Sequence, residues 1–588
     1  MIVPMKKATI LLESGDAEEA VRTLRTLGVL HVEHENPPEG GDIPALQERR
    51  ALIQASLGVL GGVTEGGGSP VAQREIEGDW TGIADHITAL GRRKEELGTA
   101  ARNLSARIQE WEPWGDVGAA QVEHLRENGV HLHLYQVPVK ELGRFPGGVG
   151  VKVLSTTGGI ARCAAVSRGG FTSPFPEIPP PQESLSEMRE RLAGINRELE
   201  EIGREIARSA CYHGALSRMQ GDLEKEILFR EVLAGMGREG PIAYLTGYIP
   251  ADIEGRLVSL AKGRRWGVLV TDPSPGDAVP TLLRNPPWVD RIRPVLGLLG
   301  LTPGYLELDV SMLFLVFLSL FFGILIGDAG YGLIYILIAL GLSRMMKPEG
   351  EMKTIFSLTY LLGSCAILWG VLTGTFFGQE WLLALGYTPP VPQLNDPGTM
   401  QTLCFFVGAL HLSLAHSWRA YLKYPSLSAL ADAGYICILW AAFFLAKTLI
   451  LGDAFPSYGL WLFIAGVVLV IVFTSPQANV LRGIGEGMGT MALSFMNNIT
   501  DVISYIRLYA VGMAGLAVAE TTNYLASGFG SGIIALAAGF VILLFGHSLN
   551  IVLGLMSVLV HGVRLNVLEF SGHANVTWSG VPFEPLRE

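Results

Sequence analysis

From Val310 to the end of the chain one apolar run follows another, each close to the roughly 20 residues that cross a bilayer as a helix. Eight spans are read, starting near residues 310, 329, 354, 399, 428, 457, 489 and 532. With the N-terminus inside, the cytoplasmic connections carry Arg344, Lys347 and Lys353, then Arg419 and Lys423, then Arg482. The outer connections at 379–398 and 523–531 hold no basic residue, and Lys447 alone lies near the remaining long one. That asymmetry follows the positive-inside rule. An even number of spans returns the C-terminal VPFEPLRE to the cytoplasm.

The charges are unevenly divided. Of the 44 basic and 55 acidic residues, about 25 lie beyond residue 300, so a charged soluble half precedes the membrane half. Across the chain 49% of residues are apolar and 17% charged, against about 25% charged in an ordinary soluble protein. With a net charge of −11, this excludes a basic nucleic-acid-binding protein and a disordered one. Cys163, Cys211, Cys365, Cys404 and Cys437 are scattered without CxxC spacing, so neither a disulfide framework nor a zinc site is expected. The opening MIVPMKKATILLES lacks the apolar core of a secretory signal, so the N-terminal half is expected in the cytoplasm.

The soluble half opens with strand, helix and strand over Ala8–Leu12, Asp16–Thr26 and Gly28–Val32. A matching unit follows at IAYLTGYIP, Ala251–Ala261 and WGVLVTD. Two such units make a ferredoxin-like split fold if they meet across the roughly 200 residues between them. The intervening sequence explains how they could. Ile83, Ile87, Leu90, Leu97, Leu104, Ile108 and Trp111 keep a heptad register, with Lys94 and Ala101 as weak positions. Leu185, Met188, Leu192, Ile195, Leu199, Ile202 and Ile206 step by three and four. Between them lie strand-like runs from Val130, Gly148 and Ala161. At 1.5 Å per residue a helix of about 30 residues spans about 45 Å. The expected fold is an α+β cytoplasmic half, two α/β lobes joined by an antiparallel coiled-coil stalk, followed by an all-α membrane domain of about eight transmembrane helices, the last two long and tilted. The expected boundaries are 1–300 for the cytoplasmic domain and 301–588 for the membrane domain. Within the first, the proximal lobe takes 1–45 and 237–290, the stalk about 72–112 and 183–236, and the distal lobe 113–182. GGVTEGGGSP from Gly61 and FPEIPPPQES from Phe175 read as breaks.

The last two spans differ from the others in carrying ions. In FMNNITDVISYIRLYAVGMAG, Asn497, Thr500, Asp501, Ser504 and Arg507 fall within about a third of a helix circumference. His547, Asn550, Ser557, His561 and Arg564 form a second polar stripe in the final segment, whose apolar helix of about 35 residues exceeds a perpendicular crossing. A charged group in the bilayer costs at least a few kcal/mol, so it faces a watery path or a partner. The plainer reading makes these side chains glue between helices.

The chain resembles subunit I, also called subunit a, of the V/A-type rotary ATPases and ATP synthases. The resemblance rests on MIVPMKK with LGVLHVE, GDAGYG at Gly327–Gly332, WGVLTGTFFG from Trp369, SYIRLYA at Ser504–Ala510 and HGVRLNVLEF at His561–Phe570. It implies that Arg507 is the arginine facing the carboxylate of a rotating proteolipid ring. It implies that Arg564 is the second arginine, that Glu569 is a recurring acidic position, and that His561 stands where relatives have His or Gln. Many eukaryotic members carry a carboxylate ten residues before the second arginine, where this chain has Gly554, so His547 or Glu520 is expected to serve the exit path. The implied partners are the proteolipid ring, peripheral-stalk subunits, the central stalk, the soluble ATPase sector and membrane lipid. The implied location is the cell membrane, crossed several times. A fixed guanidinium favours the ionised ring carboxylate and blocks leakage between two half-channels. The carried ion is expected to be the proton, with sodium the alternative, because the ion-binding site lies largely on the ring.

Other constellations carry less. His31, Glu33 and His34 point to different faces of a strand end, so no metal is expected there. Asp328, His411 and His416 read as packing groups. The glycine runs Gly327–Gly332 and Gly483–Gly489 lack the GK[ST] of a phosphate loop, so no nucleotide site or cofactor is expected, and ATP chemistry falls to partner subunits. A secondary transporter with a cytoplasmic regulatory domain would need related membrane halves and broken midplane helices. A membrane-anchored adaptor would need no buried arginines.

Overall fold

A computed structural model describes residues 1–38, 40–64, 74–76, 78–379, 386–474, 495–528, 530 and 532–587. Arg482, the run Gly483–Gly489 and the expected start of the seventh span lie outside the described residues, as do residues 65–70 of the glycine-rich break. In chain order the soluble half forms β1 (Met5–Glu13), α1 (Ala17–Leu27), β2 (His31–Glu33), α2 (Ile43–Thr64), α3 (Trp80–Trp111), α4 (Ala119–Glu127), β3 (His131–Pro138) and β4 (Gly150–Thr157). There follow β5 (Ile160–Ser167), β6 (Glu177–Ile178), α5 (Leu185–Ser209), α6 (His213–Gly235), β7 (Gly237–Glu239), β8 (Ile242–Pro250), α7 (Glu254–Arg264), β9 (Gly267–Thr271) and α8 (Arg293–Leu298). Two compact units result: Met1–Ile10 with Val29–Glu33 and Thr246–Pro585, and Leu11–Gly28 with His34–Leu245 and Leu586–Glu588.

In the second unit, α3 and α5 run antiparallel. Arg93 pairs with Glu198 at 2.8 Å, His86 with Glu205 at 3.0 Å and Arg189 with Glu112 at 2.6 Å, so rising positions on one helix meet falling positions on the other. Heptad residues Ile87, Leu97, Ile202 and Ile206 are buried, but they share one apolar cluster with Ile53 and Leu60 of α2 and Leu216 of α6. Helix α2 is additional to the sequence reading. Its C-terminal GGVT runs into a glycine-rich stretch, which reads as a break and hides the apolar face that precedes it. Gly91 of α3 admits it: a Cβ there would stand 2.4 Å from Val59. The three strands expected between the heptad segments, β3, β4 and β5, join the short β6 in a four-stranded sheet of order β4–β5–β3–β6. Asp79 caps α3 by accepting the Thr81 N–H at 3.0 Å, and Ser184 with Glu187 makes a capping box on α5.

In the first unit the strands of the two βαβ segments interleave in the order β2–β8–β1–β9, with β2 and β8 antiparallel through His31–Tyr248, Val32–Gly247 and Glu33–Thr246. Glu33 pairs with Lys7 at 3.0 Å, and His31 Nδ1 accepts the Glu584 N–H at 3.1 Å. The C-terminal tail extends this layer. The Thr281 N–H donates to Val581 O at 2.7 Å, the Phe583 N–H donates to Thr281 O at 3.1 Å, and Phe583 packs with Met5, Tyr248 and Val279.

The same unit holds the apolar helices α9 (Ser311–Ile326), α10 (Ala329–Met346), α11 (Gly350–Thr373), α12 (Pro397–Lys423), α13 (Ala429–Leu451), α14 (Ser457–Phe473), α15 (Phe495–Ser527) and α16 (Ile533–Ala574). Among the described residues six are long and apolar enough to cross a membrane: α10 to α13, α15 and α16. Helices α9 and α14, read as spans from the sequence, are apolar but have 16 and 17 residues. Helix α16 has 42 residues, and at 1.5 Å per residue it is about twice as long as the bilayer core is thick. The chain is a membrane protein.

Candidate functional site

Helix α15 changes its winding just before Arg507. The Tyr505 N–H bonds Val502 O at 3.3 Å, and the Leu508 N–H bonds Tyr505 O at 3.0 Å, three residues back instead of four. Tyr505 is fully buried and its hydroxyl meets His411 Nδ1 at 2.8 Å. The His411 ring is stacked between Phe317, with centroids 3.7 Å apart, and Phe570, at 4.3 Å. Gly408 makes room for this tyrosine, since a Cβ there would stand 2.6 Å from its ring. The tight turn and the locked ring fix the direction in which Arg507 leaves the helix. His411 is thus the packing group that the sequence suggested.

Helix α16 widens where it carries its ions. Val558–Gly562 and Leu565–Phe570 are π-helical turns, with Arg564 between them. Residues five apart stand about 140° apart on a regular helix, whereas an i→i+5 turn brings them onto one face. Arg564 Nε accordingly lies 3.7 Å from Glu569 Oε1. Arg507 Nη1 reaches the same oxygen at 3.6 Å, and Ser504 Oγ donates to it at 3.4 Å. Glu569 is buried, Arg507 is half-buried and Arg564 is exposed. Among the described residues Arg507 Nη1 and Glu569 Oε2 have no hydrogen-bond partner although both atoms are buried. His561, on the first π turn, is half-buried.

Two cavities reach α15. One, of about 330 Å³, is lined by Asn497, Asn498, Asp501, Glu569, His573, His416 and Arg419. The other, of about 260 Å³, is lined by Asp328, Tyr331, Thr373, Leu508, Tyr509, Glu520 and neighbouring apolar groups. Arg507 stands in sequence between the α15 residues of the two. His547 lines neither: its Nδ1 meets the Tyr331 hydroxyl at 2.7 Å and its Nε2 meets Asn523 Oδ1 at 3.1 Å. The sequence-expected residues therefore separate into a charged centre (Arg507, Arg564, Glu569, Ser504), one cavity wall (Asn497, Asp501), the opposite cavity (Glu520) and a hydrogen-bonded brace (His547).

Asp328 is a clamp. Its carboxylate accepts the N–H groups of Gly330 at 2.7 Å, Tyr331 at 3.2 Å, Phe377 at 2.9 Å and Gly378 at 2.8 Å. It thereby caps α10 and holds the turn that follows α11. Gly370 lets the two segments touch, since a Cβ there would lie 2.0 Å from Ala329 N. The sequence runs GDAGYG and WGVLTGTFFG are the two halves of this one joint.

His416, read from the sequence as a packing group, instead joins a chain of polar groups. Its Nδ1 meets Asp432 Oδ1 at 3.0 Å and its Nε2 meets His573 Nδ1 at 2.9 Å, while His573 Nε2 meets Asp501 Oδ2 at 3.1 Å. Asp432 and His573 escaped the sequence reading. His573 follows Glu569 by four residues, helix-face spacing that could have exposed it.

The fold and the site define a multi-helix membrane protein with paired arginines and a buried carboxylate on its last two helices. No protein-family model matches the chain. It is 30% identical over its whole length to the V-type ATP synthase subunit I 1 of Treponema pallidum, and 30% identical to the V-type ATP synthase subunit I of Borreliella burgdorferi, each match covering 100% of both chains. The A-type ATP synthase subunit I of Methanocaldococcus jannaschii is 25% identical over 66% of this chain and 62% of its own. The chain belongs to the V/A-type ATP synthase subunit I family.

Proposed function

We propose that this chain is the membrane stator subunit of a V/A-type rotary ATPase or ATP synthase, and that Arg507 separates two proton half-channels against a rotating proteolipid ring. The observation that carries the reading is the pair of cavities meeting α15 on either side of Arg507, one walled by Asp501 and Glu569 and the other by Glu520. A ring carboxylate is protonated while it crosses lipid and ionised where it meets a guanidinium that cannot give up its own proton. Arg507 suits that encounter because Glu569, at 3.6 Å, leaves its Nη1 without a hydrogen bond among the described residues. The apolar residues exposed along α16, among them Leu536, Phe540 and Phe545, suit a helical ring surface, with Arg564 exposed below them.

In this reading α9 and α14 complete eight spans. Arg344, Lys347, Arg419 and Lys423 mark the cytoplasmic side, so the Asp501 cavity opens to the cytoplasm and the Glu520 cavity to the outside. The bond between Thr281 and the C-terminal tail supports a cytoplasmic C-terminus beside the N-terminal sheet. Residues 1–300 form the cytoplasmic platform for the peripheral stalks, the paired helices α3 and α5 act as its stalk, and ATP chemistry resides in the soluble sector. The test is ATP-driven proton uptake by vesicles holding the assembled complex. Arg507→Ala abolishes uptake while subunit content stays unchanged; normal uptake by that variant overturns the reading.

A further inference from the structure

The chain from Asp501 through His573 and His416 to Asp432 contains three contacts between groups that each need one hydrogen. Two ionised carboxylates supply none, and two neutral imidazoles supply one each. Two hydrogens cannot fill three contacts, and the unfilled one would set two lone pairs face to face inside the protein. Lys423 Nζ at 2.6 Å and Arg419 at 3.5 Å hold Asp432 as the anion. The third proton therefore belongs to the remaining three groups. Among the described residues their other neighbours do not supply it: Tyr435 stacks on His416 with centroids 5.0 Å apart, and Arg419 Nη1 donates to the His573 backbone carbonyl at 2.9 Å. Asp501, His573 and His416 all line the 330 Å³ cavity together with Glu569.

We propose that His416 and His573 form a proton relay that stores one proton with Asp501 and feeds the Arg507–Glu569 centre, which makes the coupling ion a proton. This rests on the reading of α15 and α16 as the ion path. In one arrangement the proton sits on Asp501 Oδ2 and both imidazoles are neutral, each donating through Nδ1. Transfer breaks the Asp501 O–H bond and forms His573 Nε2–H, while the His573 Nδ1 proton passes to His416 Nε2. Asp501 becomes the anion, and His416 becomes the imidazolium facing Asp432. The reverse transfer restores the first arrangement, and no other reactant is needed. Asp432, fully buried and not among the residues lining that cavity, is a positioning residue that fixes the His416 ring. A sodium ion finds no use for such a chain, because two imidazoles cannot pass a cation by exchanging hydrogen bonds.

The experiment is ATP-driven proton uptake in sodium-free medium by the complex carrying His573→Ala. Uptake falls at least about ten-fold, and imidazole added on the side of Lys423 restores it, whereas tetramethylammonium at the same concentration does not. Uptake within two-fold of the parent without imidazole overturns the relay, and so does a loss that imidazole leaves unchanged. If His573→Ala fails to assemble, Asp501→Asn decides. Its amide supplies a hydrogen to His573 but cannot release it, so the relay requires uptake to fall at least about ten-fold in an assembled complex, and near-normal uptake overturns it. Arg507→Ala measured alongside separates the two ideas. Loss there with normal His573→Ala uptake removes the relay alone, while normal uptake by Arg507→Ala removes the ion path itself.

Discussion

Asp328 and Glu569 are both buried carboxylates in the helical half, and their surroundings are opposite. Asp328 accepts four backbone N–H groups between 2.7 and 3.2 Å. Glu569 has two arginines at 3.6 and 3.7 Å, one serine at 3.4 Å and an oxygen with no hydrogen-bond partner among the described residues. A carboxylate whose demand is filled by backbone is committed to one geometry. One held by loose ion pairs keeps capacity for a proton or a partner. On the proposed function the difference separates a structural acid from a working one within a single fold, where sequence alone shows two acids in apolar surroundings.

The largest effect should come from the satisfied site. Asp328→Ala leaves four N–H groups without an acceptor at about 1–3 kcal/mol each, enough to release the joint between α10 and α11, so the subunit should be lost from membranes on immunoblots. Stable Asp328→Ala complexes that still pump would erase the contrast. Next comes Glu569→Gln, which should assemble normally yet pump about ten-fold more slowly, because a neutral amide cannot take a proton. Arg564→Ala should be milder still, a few-fold in uptake, since that side chain is 54% exposed and approaches Glu569 only to 3.7 Å.

The smallest effects belong to the second unit. Asp116 is held below the usual carboxylate range by the Ser186 hydroxyl and N–H, and Glu187 by the Ser184 N–H and hydroxyl. Carboxyls depressed in the folded state stabilise it above their unfolded values, and that contribution disappears as pH falls through the folded ones. Hydrogen exchange in the first turn of α5 should therefore accelerate below about pH 4 while the middle of α5 stays protected. A pH-independent first turn would contradict this. Ser184→Ala should weaken the same turn by about 1 kcal/mol without altering proton uptake.

What the sequence revealed and what it concealed follow from range. Apolar runs, the split βαβ strands and the heptads of α3 and α5 are periodic, so they are legible locally. Helix α2 was masked by the glycines at its end, although Ile53 and Leu60 lie in the same cluster as the heptad residues. Arg507, Arg564 and Glu569 were singled out through their motifs, and the structure brings them together. Their convergence depends on two π turns that leave no composition signal. Asp432 and His416 sit 16 residues apart on different helices, and no spacing rule joins them to His573, which is 157 residues from His416.

The most direct measurement keeps the charge and changes its chemistry. Arg507→Lys replaces a delocalised guanidinium by a compact ammonium that can lose its proton on burial. In vesicles carrying the assembled complex, ATP-driven proton uptake should vanish while subunit content matches the parent. Sustained uptake by Arg507→Lys would show that any positive charge suffices, contradicting the account of Arg507 as a fixed barrier between two half-channels.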